Sequence, residues 1–270
     1  MFSACSRLEV AGQRLPFVQY LVSLAVVQAV QAEAERRLQV RGRKRRPLAG
    51  RPLSCIPRLP ASLLESGSVP SYQPATALHC TPLLSDTPAQ GRRLGLGIKW
   101  PNDIYAGGFK LGGVLCHSAY RDGVFHITMG VGLNLSNRQP STCVDALIAE
   151  AAAAAGQAPA PAPVQREELL AGVVARLEPM LARLAAEGFA PFEGAYYDAW
   201  LHSGQAVELE EGGGEGGAPP RRVSVVIRGL SPHGYLLAED AAGERYELHP
   251  DGNSLDFFRG LVRRKVPAAA

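Results

Sequence analysis

The stretch from Leu94 to Leu135 restricts the fold more than any other part of the chain. It holds three short runs, "LGLGIKW", "KLGGVLCHS" and "GVFHITMGVGLNL", rich in apolar and β-branched residues and bounded by Gly, Pro, Asn and Asp. That is the pattern of strands rather than helices. The last two are separated by "AYRDG", whose Asp122-Gly123 pair suits a tight hairpin turn. Together they predict a three-stranded piece of sheet.

Upstream, Phe17, Tyr20, Leu21, Leu24 and Val27 fall on one helical face, and Pro16 sits where a first turn tolerates it. Residues 16–32 read as an amphipathic core helix entered from a short strand, "MFSACSRLEV". The run ends in small residues like a secretory cleavage site. Gln19, Ser23 and Gln28 interrupt it, however, and it is too short to cross a bilayer. No membrane association is expected. Residues 33–94 lack helical or alternating periodicity and are expected to be a disordered insertion. Its basic knot "RGRKRR", Arg41–Arg46, reads as a solvated charge run or as a nuclear-localisation or nucleic-acid patch.

Downstream, "STCVDALIAEAAAAA" opens with a Ser/Thr cap and predicts a helix, and "GQAPAPAPVQ" reads as a linker. Residues 165–187 place Leu169, Leu170, Val173, Leu177, Leu181 and Leu184 on one helical face, with a kink expected at Pro179 and an end at Gly188. A short helix carrying Tyr196, Tyr197 and Trp200 follows. The period then changes: "QAVELEE", "RRVSVVIRGL", "GYLLAED" and "ERYELHP" predict four short strands in a small, partly open all-β barrel.

The net charge of +3 and the scattered basic residues do not call for nucleic acid as the main ligand. The five cysteines are odd in number, widely spaced and without a Cys-x-x-Cys, which suggests neither a disulfide framework nor a zinc site. A reducing compartment is the simplest assignment.

Chemistry concentrates in "IKWPNDIYAGGFKLGGVLCHS", residues 98–118. If the strands at 95–100 and 109–116 pair as neighbours, Lys99 and Lys110 lie near one sheet edge, where two ammonium groups would attract a phosphate or carboxylate. Asp103 is the available counter-ion, Asn102 a donor or acceptor, and Gly112 and Gly113 would let a flat ligand approach. The alternative is a surface hairpin with a glycine-rich turn and ordinary lysines. In "GVGLNLSN", residues 130–137, the spaced glycines and Asn134 lack the third glycine and helix of a dinucleotide fingerprint. Asn134-Leu135-Ser136 is also a glycosylation sequon, of little weight without a secretory signal. His117 and His126 alternate with apolar residues and read as structural, and no hydrolase triad is present.

"KWPNDIY", "KLGGVL" and "GVGLNL" in that order, followed by "YYDAWLHSG" and "HPDGNSLDFFRGLVRRK", resemble the second half of a biotin protein ligase, particularly the holocarboxylase synthetase type. The first strand and helix are similar to those that precede these motifs, so the resemblance covers residues 1–32 and about 95–265. It implies an α/β (α+β) fold: a class II synthetase-like catalytic domain with a mixed sheet over 1–198, then a small β-barrel domain over 199–270. It further implies that biotin and ATP, with Mg²⁺, form biotinyl-AMP, which is passed to a lysine of the biotin carboxyl carrier domain of a carboxylase. Lys110 matches the lysine that contacts biotin and the adenylate, and Gly112 and Gly113 the glycines beside biotin. Lys99, Asn102 and Asn134 match positions near the nucleotide. Asp103 would orient or activate the incoming lysine, or cap the turn. The family's upstream Gly-Arg-Gly-Arg-x-x-Asn-x-Trp loop has no counterpart, so an N-terminally incomplete catalytic domain with impaired activity is expected. The rival assignments are a non-catalytic carrier-binding module and a lipoate or octanoate ligase. Either cytoplasm or plastid suits the chain, and a homodimer is left open.

Overall fold

The computed structural model describes residues 1–39, 94–137, 139, 141–211, 221–250, 253–256 and 261–264. Strands β1 (Phe2–Leu8), β2 (Leu96–Lys99), β3 (Asp103–Ala106), β4 (Phe109–Arg121) and β5 (Val124–Leu133) form a five-stranded sheet in the order β1-β5-β4-β3-β2. Every ladder in it is antiparallel. Short turns leave β2 to β5 no other choice, because a parallel neighbour needs a long crossover. Asp122 and Gly123 take φ values of 52° and 81°, the two left-handed residues that match the twist of the β4–β5 hairpin. β3 was not foreseen. It lies between β2 and β4, so the strands carrying Lys99 and Lys110 are not neighbours as supposed from the sequence.

One face of this sheet buries Ile104, Leu111, Val114, Ile127, Met129 and Val131 against helix α1 (Pro16–Gln39). α1 is not amphipathic in the way its periodicity suggested. Val18, Val22, Ala25 and Val26 are buried as well as Tyr20, Leu21 and Leu24, because the sheet, α2 (Val144–Ala154), α3 (Arg166–Glu187) and α4 (Glu193–Ala199) all pack on it. A helix apolar all round belongs in a core. By length and composition α1 could cross a membrane, contrary to the shorter helix read from sequence, but the fold buries most of it. Ser23, fully buried, satisfies its hydroxyl on the Gln19 carbonyl. The helix also runs past residue 32. Glu33 pairs with Arg36 at 2.7 Å and with Arg37, so residues 33–39 are helix rather than insertion. Residues 40–93, with the basic knot, lie outside the described residues.

α2 begins at Cys143 without a side-chain cap; the Ser/Thr cap expected there is absent because Ser141 bonds elsewhere. α3 runs unbroken through Pro179 and buries Leu169, Val173, Leu177, Leu181 and Leu184, while Leu170 is left exposed. The second sheet has six strands rather than four: β6 (Ala206–Glu211), β7 (Arg221–Leu230), β8 (Leu236–Asp240), β9 (Arg245–Leu248), β10 (Asn253–Asp256) and β11 (Leu261–Arg264). Their order is β10-β11-β6-β7-β8-β9. β6 and β11 run parallel, so the mixed character expected of the first sheet belongs to the second. No ladder joins β9 to β10 among the described residues.

A carbon added at Gly112 would sit 2.3 Å from the Gly132 carbonyl oxygen, whereas at Gly132 it would meet nothing within 4 Å. In urea unfolding, Gly112→Ala should therefore lose about 1–3 kcal/mol by overpacking. Gly132→Ala should stay within about 0.5 kcal/mol of the parent.

Candidate functional site

Four residues on four adjacent strands stand opposite one another: Lys99 pairs with Asp103, Asp103 with Gly113, and Gly113 with Gly132. This row places one carboxylate beside two glycines on the face of the sheet away from α1. Asp103 is the centre of the charge. Its Oδ1 lies 2.6 Å from the Lys110 ammonium and its Oδ2 3.9 Å from that of Lys99. Lys99 and Asp103 are 17% and 19% exposed, whereas Lys110 is 52% exposed. Two cations share one anion, leaving a net positive edge with its more exposed cation on the open side. A carboxylate or phosphate is the ligand such an edge selects.

Gly113 is the contact glycine. A carbon added there would lie 3.1 Å from Asp103 Oδ1 and 3.9 Å from Lys110 Cε. Gly112 faces the β5 backbone instead, and packing alone accounts for it. Asn102 gives its main-chain carbonyl to the Val114 N–H at 2.8 Å, fixing the turn that ends in Asp103. Asn134 holds a loop. Its amide nitrogen donates to Ser141 Oγ (3.2 Å) and the Thr142 carbonyl (3.3 Å), and its oxygen accepts from Asn137 at 3.1 Å. Ser141 in turn donates to the Lys110 carbonyl at 2.6 Å. The structure thus brings Lys99, Asp103, Lys110 and Gly113 together, with Asn134 acting on Lys110 through Ser141. A cleft of about 780 Å³ extends from Lys99, Asn102 and Asp103 past His117 to Tyr20 and Tyr235. His117 is exposed, not a core residue. Cys116 also lines the cleft, but burial pushes its thiol up to about 12, so it is no nucleophile.

The residues beneath the site were not foreseen from the sequence. Trp100, next to Lys99, is buried, and both of its N–H groups find partners: the main-chain N–H donates to His202 Nε2 at 2.9 Å and the indole N–H to the Tyr20 hydroxyl at 3.0 Å. The Tyr20 hydroxyl in turn donates to the Gly234 carbonyl at 2.5 Å. Because His202 accepts at Nε2, its proton is on Nδ1, where it meets Gln205 Oε1 at 2.9 Å. "WLHSG" carried a signal for it, a polar residue straight after an aromatic helix.

Against known proteins, residues 62–134 match the Biotin/lipoate A/B protein ligase family. Biotin–protein ligase 2 of Arabidopsis thaliana is 44% identical over 169 residues, 63% of this chain and 49% of its own length. The biotin–protein ligase of Homo sapiens is 32% identical over 255 residues, 94% of this chain and 26% of its own length. The chain is related to the biotin protein ligases. It spans about half the length, or less, of these curated relatives. The apo biotin protein ligase of Aquifex aeolicus shares the fold, with a TM-score of 0.51 at 17% identity over 97% of this chain and 82% of that one. A variant of that ligase in complex with biotin gives 0.52 at 19%, over 92% and 73%. The family match starts at residue 62, inside the segment read as an insertion, so the ligase likeness reaches further upstream than the motifs suggested.

Burial lowers His202 from 6.5 to about 4; the Gln205 bond opposes that fall and the nearby Lys99 ammonium adds to it. The unfolded chain takes up this proton near pH 6.5 and the folded one only near 4, so acid favours unfolding between the two. The contribution of His202 to stability is fully present above pH 6.5 and should fall by about 3 kcal/mol as pH drops to 4. Urea midpoints across that range should show the slope, and His202→Gln should flatten it.

Proposed function

We propose that this chain carries the adenylate-forming site of a biotin–protein ligase, with a catalytic region over residues 1–198 and an accessory β region over 199–270. The observation that carries the reading is the Asp103 carboxylate bridging Lys99 and Lys110 beside Gly113 and Gly132, on the open face of the sheet. The substrates are biotin and ATP, and the acceptor is a lysine of a biotin carboxyl carrier domain.

In the first step a biotin carboxylate oxygen bonds to the α-phosphorus of ATP, and the bond to the β-phosphate oxygen breaks to release pyrophosphate. Negative charge gathers around the α-phosphate, and a cation held there lowers the barrier. Lys110 supplies it. Its exposed ammonium can exchange Asp103 for the phosphate without a large desolvation cost, while the less exposed Lys99 keeps Asp103 paired. Lys99 and Asn102 border the cleft on the nucleotide side, and Asn134 keeps the Lys110 end of β4 in place. Gly113 leaves room for biotin; Gly112 supports the strand behind it.

In the second step the acceptor amine attacks the anhydride carbonyl and AMP leaves with the bonding electrons. The amine must be neutral to attack. Once Lys110 has moved to the phosphate, Asp103 Oδ1 can orient the amine or accept its proton while Oδ2 stays beside Lys99. Among the described residues no group of three or more His, Cys, Asp or Glu could hold a metal. Mg²⁺ would enter with ATP, sharing the charge of its phosphates. A chloroplastic ligase of Arabidopsis thaliana, 43% identical over 171 residues, supports a plastid as one location; the cytosol is the other.

Calorimetric titration with a non-hydrolysable biotinyl-adenylate analogue tests the assignment. Binding should weaken at least about tenfold in Lys110→Ala, the loss of one charge-assisted contact, and much less in Asp103→Asn. Unchanged binding by Lys110→Ala would refute the role of Lys110. Preference for a lipoyl adenylate, or binding of a carrier domain with no adenylate binding, would replace the ligase assignment with one of its rivals.

A further inference from the structure

A buried chain of hydrogen bonds centred on His202 links the second sheet to the site. At the outer edge of β2, Ile98 forms a parallel bridge with Trp200, and its carbonyl accepts the Leu201 N–H at 3.0 Å. In a continuing parallel ladder the next edge donor, the Trp100 N–H, would meet a main-chain carbonyl. The chain turns away instead. Gly204 donates to the Ile227 carbonyl, and Ile227 donates to that of Gln205, which commits the segment to the second sheet. The His202 imidazole takes the vacated place and accepts the Trp100 N–H.

We propose that His202 is a positioning residue through which the second sheet sets the geometry of the Lys99–Asp103 turn. Three observations carry this. His202 is fully buried, so no water replaces its acceptor if it is lost. The amide it holds belongs to the residue between Lys99 and the Pro101-Asn102-Asp103 turn, so any drift there moves the carboxylate that holds both ammonium groups. Its tautomer is enforced from the far side by Gln205, whose main chain is part of the second sheet's ladder. The indole tie from Trp100 through Tyr20 to Gly234 reaches the same sheet by a separate route. Trp100 is thus held at two atoms, and the main-chain tie is the one that controls the direction of the strand as it enters the turn.

The proposal rests on the ligase reading only in calling that turn a site; its geometric content does not. The test compares the 270-residue chain with His202→Phe, which keeps ring volume but removes both hydrogen bonds, and His202→Gln, which can keep an acceptor for Trp100. Hydrogen–deuterium exchange is followed at pH 7.5 at residues 100–104 and, as a control, in β7. In His202→Phe, exchange at the turn should rise about tenfold, the effect of one unmade buried hydrogen bond, with a much smaller change in β7. His202→Gln should return the turn to within about threefold of the parent.

Equal acceleration in the turn and in β7 would mean that His202 serves only global stability, and an unchanged turn would mean that the tie positions nothing; either result overturns the proposal. If His202→Phe does not fold, His202→Gln against His202→Asn decides, because the shorter amide cannot reach the Trp100 N–H. Equal turn exchange in those two overturns it. Titration with the adenylate analogue runs in parallel: no binding by the parent chain would sink the ligase reading while the exchange comparison still judges His202.

Discussion

Burying Trp100 imposes a condition that much of the structure exists to meet. An indole and its amide removed from water bring two N–H donors into the interior, and each would cost on the order of 1–3 kcal/mol unpaired. One is met by Tyr20 of α1 and the other by His202, at the entrance to the second sheet. A single buried residue therefore ties the central helix, the edge of the first sheet and the second sheet to one point. The residues on either side of it, Lys99 and the Asn102–Asp103 turn, are the polar ones that face the open side. A rigid anchor directly beneath a charged turn lets a short, exposed segment keep a defined geometry.

The charge above that anchor is balanced asymmetrically. An exposed lysine–carboxylate pair contributes little to stability, because water screens it and ordering the side chains costs entropy. Lys110–Asp103 is such a pair, so its close approach is better understood as storage of a cation than as a brace. Lys99 differs. It is more enclosed and sits directly across from Asp103, on the next strand of the same row. The glycines complete the arrangement by removing side chains from the two neighbouring positions of the same row.

Much of this was legible in the sequence, for a local reason. The strands at 109–121 and 124–133 announce themselves through alternation and an Asp-Gly turn, and α3 through leucines at helical spacing, since each pattern depends only on nearby residues. Lys99, Asp103 and Lys110 are close enough in sequence that their meeting could be anticipated. What went unseen depends on distant partners. β3 has only four residues, hidden in what looked like a turn, and its insertion between β2 and β4 turns two neighbouring lysines into two lysines bridged by a carboxylate. The burial of α1 on all sides requires knowing that α2, α3 and α4 all return to it. His202 contacts Trp100 across a sequence separation of 102 residues, which no periodicity reports.

The same distinction bears on where one part of the chain ends and the next begins. The sequence changes from helical to alternating period near residue 199, and that boundary is real as a change of secondary structure. The core does not respect it. Val207, Val225 and Leu236 of the second sheet belong to the same apolar cluster as Tyr20, Trp100 and Tyr196, and Gly234 packs so near α1 that an added carbon would lie 3.1 Å from Pro16. Removing residues 199–270 would expose the aromatic side chains under the site, leave the Trp100 amide without its His202 acceptor and leave the Tyr20 hydroxyl without the carbonyl it donates to. Two units divided by composition are thus one unit in energy, because the donors that support the charged turn find their acceptors on the other side of the boundary.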